Sequence, residues 1–150
     1  MGVSRTLCVP GRFESLDALR EFAGEAAREA GLDKDGVYAV QLAVDEACSN
    51  IIEHGYGSED QGDIECNCVV EPSCVTVTIQ DQGEQFDPTC APQPDTACAL
   101  QDRQAGGLGL FLIHKLMDDV RFEFTGSGNT VTLVKRQPDQ PGPPSEEGAQ

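Results

Sequence analysis

Basic side chains are scarce in this sequence. Ten Lys and Arg stand against 26 Asp and Glu over 150 residues, a net charge of −16, and no Lys/Arg cluster interrupts the imbalance. Such a field repels duplex nucleic acid and anionic membrane, which excludes both as partners. Long apolar runs are missing too. No stretch reaches the roughly 18 apolar residues of a membrane span, and Met1 to Pro10 carries no apolar core behind a basic end. A cytoplasmic protein is expected. Cysteine is present at seven, but the count is odd and no export signal precedes it, so reduced thiols are expected rather than a disulfide framework. Cys66-Asn67-Cys68 with Cys74 lacks the paired-knuckle spacing of structural zinc, and only His54 and His114 could add imidazole. These cysteines read as buried strand thiols. Two phosphate-binding signatures are also absent: no G-x-x-x-x-G-K-[ST] occurs, and no G-x-G-x-x-G follows the first strand.

What is present is a single domain's worth of periodic pattern. Val3 to Val9 reads as a strand ended by Pro10-Gly11. Ser15 is placed to cap a helix with Leu16, Leu19, Phe22, Ala23, Ala26 and Ala30 on one side and Gly31 as its stop. From about Asp33 to Glu53, Val37, Val40, Val44, Ala47, Cys48 and Ile51 recur at helical spacing, and Gly55-Tyr56-Gly57 closes that helix. Strict alternation follows. Ile64, Cys66, Cys68 and Val70 share one face, Pro72-Ser73 makes a turn, and Val75, Val77 and Ile79 alternate up to Asp81. Residues 87–106 have three prolines and no period, a loop of the length used for lids. Leu108 to Met117 is apolar almost all round and reads as a buried helix. Phe122 and Phe124, a turn at Gly126-Ser127-Gly128-Asn129, then Val131 and Leu133 supply two last strands. The order β-α-α-β-β-loop-α-β-β predicts a two-layer α/β sandwich with a mixed, mostly antiparallel sheet and helices on one face. Residues 1–136 form this domain. Residues 137–150, with Pro138, Pro141, Pro143 and Pro144, have nothing to bury and read as a disordered tail.

Three pieces carry chemistry. On a helical wheel Glu46, Asn50 and Glu53 fall together, away from the apolar stripe. A solvated polar face explains the trio equally well, yet Asn50 offers a neutral oxygen suited to Mg²⁺, and Glu46 one turn earlier is placed as a general base. Asp81 ends a strand, where it is either a plain turn residue beside Gly83 or an acceptor for an exocyclic amine such as adenine N6. Gly83 would let a flat ring approach the backbone. Gly106-Gly107-Leu108-Gly109 opens a helix whose free N–H groups and dipole favour phosphate. Because the overall field repels an anionic nucleotide, such a site must rest on a metal ion and backbone dipoles, and these pieces provide both. Arg103 could reach a terminal phosphate or be a surface charge. His54 reads as a packing histidine.

Glu46-x3-Asn50 on a helix, Asp81-x-Gly83 after a strand and Gly107-x-Gly109 before a helix resemble the N-box, G1 and G2 motifs of the GHKL ATPase superfamily, which includes gyrase and histidine-kinase ATPase domains. Val44 to Asn50 and Gly106 to Asp118 most resemble the bacterial anti-sigma-factor serine-protein kinases. The resemblance spans residues 5 to 136. It implies ATP and Mg²⁺ as cofactors, with Glu46 as catalytic base, Asn50 as metal ligand, Asp81 and Gly83 at adenine, and Gly107 with Gly109 at the phosphates. It implies an anti-sigma factor that phosphorylates a Ser or Thr of an antagonist protein, with a sigma factor as second partner and a homodimer as its assembly. The other class of function is a nucleotide-gated binding module without transfer. A detached histidine-kinase ATPase domain fits less well, since no helical hairpin with a phospho-accepting His precedes the domain. One departure stands out. The family's D-x-G-x-G-F-D reads Asp81-Gln82-Gly83-Glu84-Gln85-Phe86-Asp87 here, and a glutamine at the second glycine restricts the backbone where the lid begins. Lid closure and turnover are therefore expected to suffer before nucleotide binding does. In the family a late-strand threonine often helps hold adenine through water, and Asn129, Thr130 and Thr132 compete for that position here, among which the sequence does not choose.

Overall fold

A computed structural model describes residues 2–83, 107–125 and 128–138. Strand β1 (Val3–Pro10) leads through a 3₁₀ turn (Phe13–Ser15) into helix α1 (Leu16–Glu29), and helix α2 (Lys34–Asn50) follows. Strands β2 (Asp63–Glu71) and β3 (Cys74–Asp81) form a hairpin, and helix α3 (Gly107–Leu116) precedes strands β4 (Asp119–Thr125) and β5 (Gly128–Arg136). The sheet order is β1-β2-β3-β5-β4. All four pairings are antiparallel, so the sheet has no parallel pair among the described residues.

The period-two pattern decides which face is covered. Ile64, Cys66, Cys68, Val75, Val77, Ile79 and Leu133 are fully buried, on the face that α1 and α2 pack against. The other face carries Glu65, Asn67, Thr76, Thr78 and Gln80. Cys66 and Cys68 sit on the buried side as apolar residues, and contact with Cys68 plus burial push the Cys66 thiol up and keep it protonated. Among the described residues no group of three or more His, Cys, Asp or Glu could hold a metal.

Three local details differ from the sequence pattern. Ser15 does not act as an N-cap: it is buried in helical conformation with no capping hydrogen bond, because the 3₁₀ turn has already begun the winding and the Leu16 N–H donates to the Phe13 carbonyl. The second helix stops being α-helical at Asn50, where it widens into a π-turn, Ile51–Gly55, closed by the Tyr56 N–H on the Ile51 carbonyl at 2.7 Å. Both Ile51 and Ile52 are thereby buried. Gln137, placed at the start of the tail, is tied down: its amide accepts from the Asp33 N–H and donates to the Asp33 carboxylate, while its own N–H donates to the Ser73 carbonyl. Residues 139–150 lie outside the described residues.

Asp33 is the working cap of α2, accepting from the Gly36 N–H at 2.9 Å. That bond, with Gln137, holds its carboxyl below the usual range. Asp33→Ala is expected to lower Tm by about 3 °C, measured by thermal denaturation at neutral pH. The loss should shrink as pH falls through the depressed Asp33 pKa, because protonation removes the same contribution from the parent protein.

Candidate functional site

Helix α2 packs against α1, α3 and β5. An inter-helix ion pair, Arg20 Nη1 to Asp45 Oδ1 at 2.8 Å, and the approach of Gln41 to Gly24 fix α1 against it. This arrangement leaves Glu46 half-buried and Asn50 6% exposed. Burial, then Asp45 and Glu53, raise the Glu46 carboxyl above the ordinary glutamate range. A carboxylate shifted toward neutrality is a better proton acceptor than a solvated one.

Asp81 closes β3 and is 4% exposed. Its Oδ1 accepts from the Gly83 N–H at 2.8 Å, an Asx-turn that aims the chain out of the sheet, and from Asn129 Nδ2 at 3.0 Å. Burial raises its pKa, and these two hydrogen bonds oppose the rise. The Asn129 amide also donates to the Gly83 carbonyl at 3.2 Å, so it clamps the turn from both sides. Gly128 must be glycine here. Its φ is +150°, and a Cβ would collide with the Asp81 carbonyl oxygen.

Strand register distinguishes the three late-strand residues by their partners. Asn129 pairs directly with Asp81, whereas Thr130 and Thr132 pair with Gln80 and Thr78 on the outer face. Alternation back from Val131 and Leu133 was the available signal. The Cys48 thiol, two residues before Asn50, is pushed up by burial and then by the charges of Asp45 and Asp81.

Gly107 begins α3 and Gly109 lies in its first turn, as the glycine pattern predicts. Gly106, Arg103, Gln85 and the lid segment 84–106 fall outside the described residues. His54 lies in the π-turn. Through Tyr56, just past the helix that bears Glu46 and Asn50, the end of that helix meets the turn that carries Asp81 and Gly83; of the three late-strand candidates Asn129 is the one at this turn, and Tyr56, read from the sequence only as part of the helix stop, is added. Tyr56 donates through its hydroxyl to the Asp63 carbonyl at 2.5 Å and accepts from the Gln82 N–H at 2.9 Å.

The candidate donors are oxygens. With no cluster of three ionisable ligands, the described residues offer a neutral amide oxygen at Asn50 beside the Glu46 carboxylate. That fits Mg²⁺, which keeps waters and phosphate oxygens and takes few protein ligands.

Comparison with known proteins gives the fold and the family. The solved RsbU and RsbW domains of Rv1364c from Mycobacterium tuberculosis superpose with a TM-score of 0.63 at 19% identity, covering 89% of this chain and 32% of that one. The catalytic domain of histidine kinase ThkA gives 0.52 at 14% identity, covering 89% of this chain and 96% of that one. At those identities the likeness shows the fold. Sequence relatives are closer. The serine-protein kinases RsbW of Bacillus velezensis and Bacillus subtilis are each 32% identical over 131 residues, 85% of this chain and 81% of theirs. RsbW of Listeria monocytogenes serotype 4a is 30% identical over 134 residues, 87% of this chain and 85% of its own. A family model, the histidine kinase-like ATPase domain, matches residues 9–135. The chain therefore belongs to the histidine kinase-like ATPase domain family.

Proposed function

We propose that the protein is an ATP-dependent serine/threonine protein kinase and anti-sigma factor that acts in the cytoplasm. The observation that carries the reading is the pairing of a buried acceptor, Asp81, at one end of the site with a pKa-raised carboxylate, Glu46, one helical turn from Asn50 on α2. Its relatives named serine-protein kinases support the same chemistry. Among the described residues no helix is long and apolar enough to cross a membrane.

In this reading Asp81, held by Asn129 and the Gly83 N–H, accepts a hydrogen bond from the exocyclic amine of adenine. Gly83 leaves room for the ring. The backbone N–H groups at Gly107 and Gly109, at the start of α3, face the phosphates. Asn50 contributes its amide oxygen to Mg²⁺, which when bound neutralises charge on the phosphate oxygens. Glu46 accepts the proton of a Ser or Thr hydroxyl on the antagonist protein. That oxygen bonds to the γ-phosphorus in line, the bond from phosphorus to the β,γ-bridging oxygen breaks, and ADP leaves. When not so engaged, the protein sequesters a sigma factor, with a homodimer as the proposed assembly.

Two measurements on the full chain test this. Mg-ATP at about 100 times its dissociation constant should raise Tm by roughly 5–10 °C. Labelled ATP should place acid-stable phosphate on a Ser or Thr of the antagonist. Absence of both results overturns the reading, and acid-labile label on a histidine would replace it with a histidine kinase.

A further inference from the structure

Tyr56 joins the two halves of the site. Its own N–H closes the π-turn on Ile51, which fastens it to the end of the helix bearing Glu46 and Asn50. Its hydroxyl accepts from the N–H of Gln82, the residue between Asp81 and Gly83, and donates to the carbonyl of Asp63 at the start of β2. Ile64, the next residue, pairs with Asp81 across the hairpin. One phenol oxygen therefore ties the segment after the helix to the start of β2 and to the turn that follows β3.

The surroundings are shaped for that ring. A Cβ at Gly62 would lie 2.5 Å from Tyr56 Cε1 and 2.7 Å from its hydroxyl, and one at Gly11 would lie 3.2 Å from Cδ2. The Gly11 N–H donates to the Gly62 carbonyl at 2.7 Å, so the two glycines form one floor beneath the ring. Burial pushes the phenol up, which keeps the proton that the Asp63 bond needs.

We propose that Tyr56 is a positioning residue that sets the spacing between the Glu46/Asn50 helix and the Asp81 turn, so that it governs binding of ligands long enough to touch both. The inference rests on the nucleotide reading above and extends it. A nucleotide with Mg²⁺ at its phosphates spans the two halves, whereas adenosine reaches only the Asp81 end. Loosening the tether costs the spanning ligand and spares the short one, a pattern that general loss of stability does not produce.

Tyr56→Phe keeps the ring on its glycine floor and removes the hydroxyl. Mg-ATP affinity by calorimetry should fall about tenfold, as expected for two lost hydrogen bonds, while adenosine measured as a competitor should change by less than about twofold. Gly62→Ala displaces the ring from that floor with the hydroxyl intact, and it should give the same selective loss. In transfer assays both variants should raise KM for Mg-ATP more than they lower kcat. Equal losses for both ligands, or no loss in Tyr56→Phe, overturn the proposal. If the unaltered protein binds neither ligand, the nucleotide reading itself has failed and this inference falls with it, a result visible before any variant is made.

Discussion

Replacing Glu46 with alanine is expected to reduce phosphoryl transfer by about 10²–10⁴-fold while Mg-ATP still raises the melting temperature. In the proposed mechanism this carboxylate takes the hydroxyl proton, and a nucleotide held by Asp81 and by the start of α3 would not need it. Glu46→Gln should give the same result without a change of shape. Unchanged labelled-phosphate transfer in either variant sinks the catalytic assignment. Loss of transfer with binding intact also separates a kinase from a binding module that merely responds to nucleotide.

The pH dependence follows from the same group. Glu46 works only as a carboxylate, and burial with the charges of Asp45 and Glu53 raises its pKa, so transfer should decline on acidification at a pH above the ordinary glutamate range. Removing one like charge reverses part of the shift. Glu53→Gln should therefore move the acid limb of the rate profile to lower pH, and a limb that stays in place would show that another group controls it.

Asp81→Asn is expected to weaken Mg-ATP binding about 100-fold, because a charged acceptor becomes a neutral amide at the point where the base amine must be read. The thermal shift with nucleotide should disappear. The apo protein should behave in the opposite way. Burial raises the Asp81 pKa, so its carboxyl favours the folded state when protonated, and that contribution is lost as pH rises through the raised value. Asparagine is neutral at every pH. At neutral pH the variant's apo Tm should equal or exceed that of the parent, provided Gly83 and Asn129 keep their partner. A variant that loses apo stability and keeps its nucleotide shift would contradict both halves of this account.

These two residues show how differently parts of the site could be read. Asp81 was visible because β3 alternates up to it and a glycine follows two residues later. Glu46 was visible because helical spacing places it with Asn50 away from the apolar stripe, and the structure keeps it half-buried there. Ser15 misled, since a 3₁₀ turn that has no periodic signature starts the winding first. The π-turn after Asn50 was equally hidden, because the apolar residues Ile51 and Ile52 suit α and π winding alike.

By itself the sequence determined the element order, the buried face of each strand and the three chemical pieces, since periods of 3.6 and 2 are local properties of the chain. Tertiary structure alone decided that Asn129 rather than Thr130 or Thr132 clamps Asp81, a contact across 48 residues, and that Tyr56 reaches Gln82 across 26. Sheet register sets the first contact and the path of the chain after α2 sets the second, and burial also raised the pKa values of Glu46 and Asp81. A local pattern cannot carry such information, because a carboxylate's chemistry depends on what the fold brings around it from elsewhere in the chain.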